Sequence, residues 1–539
     1  MPRSYRDLRE YLEVLEQAGK LRRIKKPINK DTELMPLVRW QFRGLPPEDR
    51  TGFLFENVVD GQGRTFKGSL AVAVVGGSRE IYAMGMSASP EEITHKWVQA
   101  LDHPIHPILI NSGPVKEEIH IGDNLLEHGG LAEFPIPIST VGFDPTPYIT
   151  APLWHTKDPE TGARNVGTYR GMVKGPLKSS TGGRANHLTV HWQKWKERGK
   201  NLEAALVIGA VPAVSICSTA GIPYGVDELA VAGAMMGDPI PVIKCETIDM
   251  EVPAYAEIVL EGEFTMDSAE PEGPFGEYTG YMSERGMRPV FNIKCITHRK
   301  DPVYHAFISQ MPPSESSILR GLAAEGNYLR FLKYDCGLPN VKDVAFLESS
   351  GAAMVCVIQI KKTWKPYPNH GEVWQALTAT LGKNSGYPKV VIAVDDDIDP
   401  RDPDSVLWAL SFRHQPHLDV KMIEGRASSL DPSSAPPTAH HSERVFPIGP
   451  TGPRGCSAML IDATLKWPTL PTSLPKEEYM AHAKELWESL DLPKLKPRKP
   501  WFGYSLGHWR EEQEEEAGLA ISGEYHRTWE KLDQQVEPI

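Results

Sequence analysis

The rhythm of apolar positions changes three times along the chain. Near the N-terminus Leu8, Tyr11, Leu12 and Leu15 recur at helical spacing, with Gly19 as a stop. Ser4 offers an N-cap, with Asp7 three residues on. The run LAVAVVGG (70–77) is almost wholly apolar and reads as a buried strand. From about 130 to 310 short apolar runs alternate with Gly/Pro turns: AALVIGAVPAVSI (204–216), PIPVIKC (239–245), PAYAEIVLEGE (253–263) and FNIKCITHR (291–299). Short strands repeated at this spacing predict a β-barrel or sandwich. From about 315 to 430 the pattern alternates between strands, AAMVCVIQI (352–360) and KVVIAVD (389–395), and helices, HGEVWQALTATLG (370–382) and DSVLWALSFR (404–413). That is α/β layering. Tyr479, Ala483, Leu486, Trp487 and Leu490 make a last helical stripe. STGGRAN (180–186) and the Pro/Ser-rich DPSSAPPTAHHSE (431–443) read as loops, and no internal repeat is present.

Composition narrows the classes. A chain of 539 residues suggests two to four domains. Its 40% hydrophobic and 24% charged residues are those of a soluble globular protein. A formal net charge of -12 argues against nucleic acid, which needs a basic footprint. No apolar run is long enough to span a bilayer, and the charged N-terminus lacks a signal-peptide core. A cytoplasmic location is the expectation. Cys217, Cys245, Cys295, Cys336, Cys356 and Cys456 are scattered without a CxxC, against a zinc cluster or a disulfide framework. With 46 Gly and 47 Pro, many turns and short strands are expected rather than a helical bundle.

Four stretches carry candidate chemistry. In PEGPFGEYTGY (271–281) Glu272 and Glu277 bracket a stiff, sharply turning linker. Such a turn holds two carboxyls near one another. It suits a general acid/base, or a glycosidase pair, and spacing alone does not choose between those and solvated turn acids. In NVGTYRGMVKG (165–175) Asn165 and Arg170 are five apart. On a strand that puts them on opposite faces, so both address one ligand only across a turn or bulge. Arg170 alone reads as a surface arginine. His191, expected to open a helix, alone reads as a core histidine. Glu228 stands after a Pro/Gly turn, where the helix macrodipole already favours an acid. Together Asn165, His191 and Glu228 form a hard-to-borderline donor set that suits Mn²⁺ or Mg²⁺ better than Zn²⁺. Asp395, Asp396 and Asp397 cannot all face one ion from a strand, and read as a strand end and helix-capping loop.

The order and spacing of several blocks resemble the UbiD family of reversible decarboxylases that use prenylated FMN. The blocks are NVGTYR (165–170), VH (190–191) with ERGK, GVDELAVAGAMMGDPIPVIKCETIDMEVPAYAEIVLEG (225–262), EGPFGEYTGY (272–281) and VVIAVDDDIDP (390–400). The resemblance implies a mixed α/β (α+β) chain with a split β-barrel flavin-binding domain, an α/β oligomerisation domain and a C-terminal helix. The expected bounds are 1–125, 126–315, 316–470 and 471–539. It implies Mn²⁺ on Asn165, His191 and Glu228, bridging to the flavin phosphate. It implies K⁺ near Cys217, Ser218 and Glu228, and a cofactor site that includes Val190 and Arg170. Arg170, Glu272 and Glu277 match the family's catalytic set, with Glu277 as acid/base. A UbiX-type prenyltransferase would supply the cofactor, and a homodimer or homohexamer is expected. The substrate implied is an aromatic or heteroaromatic carboxylic acid. Ala458 stands where many members have a lysine, with Arg454 nearby. His440 and His441, and the aromatic PWFGYSLGHW (500–509), are secondary candidates for pocket lining and tail docking. The rival readings are a flavin-independent metal hydrolase and a non-catalytic flavin-binding oligomeric subunit.

Overall fold

The computed structural model describes residues 5–181, 186–364, 368–384, 386–426, 430–434, 456–490, 492–495 and 510–534. Ser4, most of the 180–186 loop, His440, His441, Arg454 and the 500–509 aromatics lie outside the described residues.

The first helix, Leu8–Gln17, buries the stripe of Leu8, Tyr11, Leu12 and Leu15. Its cap is Asp7, not Ser4: the Asp7 carboxylate accepts from the Glu10 N–H at 2.9 Å, satisfying a donor with no partner inside the helix. The apolar run at 70–77 is strand only over Ser69–Val72. Beyond it the chain turns at Ala73 (φ +59), and the Ala73, Val75 and Gly76 N–H groups converge on the buried Glu315 carboxylate at 3.0, 3.3 and 3.1 Å. A ladder cannot continue where successive N–H groups point at one acceptor.

The strand-rich middle is one antiparallel sheet. Its path runs Arg164–Gly167, Leu153–Lys157, Leu202–Ile208, Ile258–Glu272, Gly286–His298, Lys178–Thr181, Gly171–Gly175, Tyr148–Ile149, with Glu118–Ile121 also on Gly286–His298. The 164–167 and 171–175 strands lie near opposite ends of this path, yet three residues join them. Four Cα steps reach at most about 14 Å. The sheet is therefore curled almost into a ring, with a seam that carries no ladder, and Thr168–Arg170 cross that seam. Trp154, Phe264 and Phe291 are fully buried and pack with ring centroids 4.9–5.1 Å apart. Each such side chain contributes about 1.5–3 kcal/mol by burial. The second half of the 204–216 run is helix, Pro212–Thr219. The strand ends at Ile208, where Gly209 turns the chain with φ +75, and Pro212 pre-sets the first helical φ.

A smaller sheet joins Leu21–Ile24, Gly52–Phe55, Ser69–Val72 and Val303–Ala306 at the N-terminal side. The α/β layer is a five-stranded sheet in the order Val341–Phe346, Val355–Ile360, Val390–Asp395, Cys456–Asp462, Val420–Arg426, with the central three parallel. Helix Glu315–Arg330 packs on it, helix His370–Gly382 matches its expected span, and helix Pro403–Phe412 starts one residue early.

The aspartate run is more than a capping loop. The strand ends at Asp395, and the helix cap is Asp402. Asp395 and Asp397 both clasp the buried Arg413, at 2.9 and 2.7 Å. Buried charge of one sign has to be paired, and Arg413 pairs both. Ala458 is buried in the core of this layer. The helix Glu477–Ser489 buries none of its residues, leaving Tyr479, Leu486 and the following Leu490 exposed. No helix among the described residues is long and apolar enough to cross a membrane. All six cysteines are free, four of them buried.

Candidate active site

Arg170 stands in the seam of the curled sheet. Its guanidinium lies flat against the Glu272 carboxylate, Nε donating to Oε1 at 2.8 Å and Nη2 to Oε2 at 3.1 Å. Nη1 donates to Glu277 Oε1. Nη2 also reaches the Ser283 hydroxyl at 3.3 Å, and the guanidinium sits 4.9 Å above the Phe275 ring. Burial works against the charge, but Glu277 and Glu272 outweigh it and hold Arg170 above its ordinary pKa. The two glutamates are unequal. Glu272 ends the long 258–272 strand, paired with Gly286, and its side chain is 1% exposed. Glu277 lies on the loop beyond, 15% exposed, and holds Arg170 through one oxygen only.

That loop explains the stretch PEGPFGEYTGY. Gly273 takes φ +101, and a Cβ there would meet the Glu284 carbonyl at 3.0 Å. At Gly276 a Cβ would come within 2.8 Å of Thr140 Oγ1. The loop closes on itself: Ser283 N–H donates to Phe275 O at 2.7 Å, Glu277 N–H to Tyr281 O at 2.9 Å, and the Phe275 N–H to Ser283 Oγ at 3.1 Å. Tyr148 anchors it by donating to Pro274 O at 2.9 Å.

Asn165, His191 and Glu228 are tied together through the paired 153–157 and 164–167 strands. Asn165 sits opposite Thr156 in register, and Thr156 Oγ1 bonds His191 Nδ1 at 2.9 Å. Glu228 Oε2 accepts from the Val166 N–H at 2.8 Å. Asn165 Oδ1 lies 3.2 Å from His187 Nδ1. His191 lies in the second turn of helix His187–Glu197 rather than at its start, because Asn186 provides the cap four residues earlier than expected. Glu228 opens its helix as read, with Asp227 as the cap. Burial pushes His191 down to about 4 and Glu228 up to about 8. A neutral imidazole and a carboxyl whose charge is uncompensated are what a cation needs and relieves. This donor set fits a hard-to-borderline divalent ion.

Thr168, in the same crossing, donates from N–H to Ser218 O at 2.9 Å, with its hydroxyl 2.8 Å from Ser218 Oγ. Cys217 is fully buried, with its Sγ packed 3.7 Å from Met235 Sδ. Val190 is 41% exposed on the outer face of its helix.

Sequence reasoning missed Asp144, Ser283 and the ring of Phe275. Asp144 accepts from the Thr140 N–H at 2.6 Å, and burial pushes its carboxyl up to about 6 while Arg170 pulls the other way. Its second oxygen is buried without a hydrogen-bond partner. Phe275 was at hand inside the turn motif, whereas nothing in the local pattern around Asp144 marks it.

The seam of the curled sheet thus holds an arginine clamped by two unlike glutamates, in the same crossing that leads from Asn165. The comparisons give the family. The chain belongs to the UbiD family: the 3-octaprenyl-4-hydroxybenzoate carboxy-lyase N-terminal domain matches residues 12–101, the Rift-related domain 109–312 and the C-terminal domain 317–463. It is a carboxy-lyase of the UbiD decarboxylase type. Among solved structures, the UbiD-class enzyme HmfF from Pelotomaculum thermopropionicum in complex with FMN is 34% identical, with 88% of this chain and 96% of that one covered and a TM-score of 0.73. An evolved dimeric form of HmfF, in complex with prFMN, is 32% identical over 89% and 100%, with a TM-score of 0.75. Sedimentibacter hydroxybenzoicus vanillic acid decarboxylase, in closed form, is 28% identical over 91% and 100%, with a TM-score of 0.73. None of these matches favours the hydrolase or the non-catalytic subunit.

Proposed function

We propose that this chain catalyses the reversible, non-oxidative decarboxylation of an aromatic or heteroaromatic carboxylic acid with prenylated FMN, using Glu277 as acid/base. The observation that carries this reading is the asymmetric Glu272–Arg170–Glu277 clamp: one glutamate spent on the guanidinium with both oxygens, the other with one.

Asn165, His191 and Glu228 would hold Mn²⁺ at the flavin phosphate. Backbone carbonyls of Cys217 and Ser218, with Glu228, would hold K⁺, and Val190 would line the flavin. Bound there, prenylated FMN supplies an electron sink for the carbon that carries the carboxylate. The chain's own residues do the rest. Glu272 locks the plane of Arg170, and the guanidinium N–H groups of Arg170 would orient the substrate carboxylate. The carbon–carboxylate bond breaks, carbon dioxide leaves, and the electron pair of that bond is the one the incoming proton takes up. Glu277 delivers the proton that replaces the carboxyl group, then regains one from solvent. In reverse, at high bicarbonate, Glu277 takes that proton away.

The family matches support a division into an N-terminal region (1–125), a prenylated-FMN domain (126–315), an α/β oligomerisation domain (316–470) and a C-terminal helix with its tail (471–539). The exposed Tyr479, Leu486 and Leu490 support a homodimer or larger assembly through that helix. A UbiX-type flavin prenyltransferase would supply the cofactor, in the cytoplasm. The test is mass spectrometry of the cofactor released from protein made with and without such a prenyltransferase. Prenylated FMN found only with the partner, together with carbon dioxide release from aromatic acids, is the expected result. Folded protein that binds no flavin in either preparation would overturn the reading.

A further inference from the structure

At the far end of the 286–298 strand, twelve residues and about 40 Å of extended chain from Gly286, the partner of Glu272, three side chains meet that play no part in the clamp. His120 and His298 come from adjacent antiparallel strands. His120 pairs with Ile296, so His298, two residues on, is its diagonal neighbour on the same face. Their Nε2 atoms stand 3.0 Å apart. Glu133 rises between them from the 3-10 turn Gly130–Glu133, with Oε2 3.6 Å from His120 Nε2 and Oε1 3.5 Å from His298 Nε2. Both histidines are 5% exposed. The turn that delivers Glu133 is specified by glycine: Gly130 has φ +58, and a Cβ there would lie 2.3 Å from the Pro176 carbonyl.

Three features of this arrangement bear on what the three side chains could hold. Two imidazole nitrogens face each other across 3.0 Å, a contact that one proton or one shared ion can hold. Glu133 Oε2 is buried with no hydrogen-bond partner. The tautomer is also set from outside: His298 Nδ1 lies 2.8 Å from the Arg299 carbonyl, which only accepts, so Nδ1 carries the hydrogen. A neutral His298 then presents its Nε2 lone pair to His120 and Glu133. A backbone carbonyl fixing the remote nitrogen while the near one faces the cluster is the usual support of a metal-bound histidine. Donors sharing an ion at about 2.0–2.2 Å lie roughly 3–3.5 Å from one another around it, close to the separations here.

We propose that His120, Glu133 and His298 form a second divalent-metal site, a structural one, for a borderline ion of the Zn²⁺ class. Two imidazoles and a carboxylate are the ligands such an ion takes, with an open position filled by water. The exposed His128, whose ring stacks on His120 at 4.1 Å, stands at the solvent side of the site. The ion would staple three segments: the 118–121 strand, the 130–133 turn and the end of the 286–298 strand. Among the described residues this is the one group of three or more His, Cys, Asp and Glu side chains with such ligand geometry.

The test is a metal titration of the full chain after chelator dialysis, with Co²⁺ read by its visible ligand-field absorption and Zn²⁺ read by competition. The parent, H120N and E133Q are compared. The expected result is one equivalent fewer bound in both variants, or an affinity at least tenfold weaker, with decarboxylase activity and circular dichroism kept. Zn²⁺ should raise the parent's thermal midpoint relative to chelator, and E133Q should lose that rise. E133Q is isosteric and decides the matter if H120N does not fold. Equal stoichiometry and affinity in parent and E133Q would overturn the proposal. So would an unchanged thermal response, which would leave a shared proton as the tie between the two histidines.

Discussion

Replacing each glutamate of the clamp by glutamine should give different phenotypes, although the change in composition is the same. Glu272 takes two hydrogen bonds from Arg170, at 2.8 and 3.1 Å, in a position 1% exposed. An amide there keeps one acceptor and turns an N–H group toward Nη2, a donor. Breaking a buried pair costs roughly 3–5 kcal/mol, and the lower end applies because Glu277 still faces Arg170. E272Q should therefore lose about 3 kcal/mol of stability, and activity through a tilted Arg170. Glu277 makes a single contact at the more open end. E277Q should lose no more than about 1 kcal/mol of stability. Its kcat should fall by roughly 10²–10⁴-fold, about 3–5 kcal/mol of barrier, because general acid/base transfer is gone. The assay pairs carbon dioxide release by the cofactor-loaded enzyme with urea unfolding, and exchange of the product's ring hydrogen with deuterated water reports proton transfer alone. E277Q retaining more than a tenth of parental kcat, or proving the less stable variant, would refute the division of labour.

Three other outcomes are expected. R413M should lose roughly 3–5 kcal/mol in urea unfolding, since Asp395 and Asp397 are then left buried without their cation; a loss under about 1 kcal/mol would refute the pairing argument. His155 and His305 are fully buried, their ring nitrogens make no hydrogen bond, and burial pushes both down to about 3. The fold excludes protons that the unfolded chain takes up, so their contribution is full above pH about 6.5 and is lost as pH falls toward 3, at about 1.4 kcal/mol per pH unit for each histidine. H155L should flatten the acid limb of a stability-versus-pH curve, and an unchanged slope would count against this. Finally, Gly351 has φ +71, and a Cβ there would lie 2.5 Å from the Tyr278 carbonyl, next to Glu277. G351A should lower kcat while flavin loading stays intact, and equal kcat would show that the loop tolerates the push.

Much of the architecture is written in local pattern. The helical stripe from Leu8 to Leu15, the strands within 352–360 and 389–395, and the helix 370–382 follow from the period of apolar residues, because each element buries one face or both. Boundaries read less well. The strand read at 70–77 stops at Val72 because Glu315, over two hundred residues away, collects the next N–H groups. The cap of the helix that carries His191 depended on Asn186, and the role of Asp395 and Asp397 on an arginine just past the end of a following helix.

The sequence by itself determined the residue types and their order: Asn165 and Arg170 in one block, Glu272 and Glu277 in another, and enough ordered motif to name the family. Only the tertiary structure decided which of them touch. Arg170 meets both glutamates because the sheet curls until a three-residue crossing lies beside the end of a strand a hundred positions later. The glutamates become unequal because one ends that strand while the other rides the loop beyond it. His120, Glu133 and His298 are unremarkable apart in the chain and meet through strand register and one glycine-bearing turn. Period and spacing report what a residue's neighbours along the chain require. Long-range pairing, which depends on how distant segments bury one another, decides the chemistry they can do together.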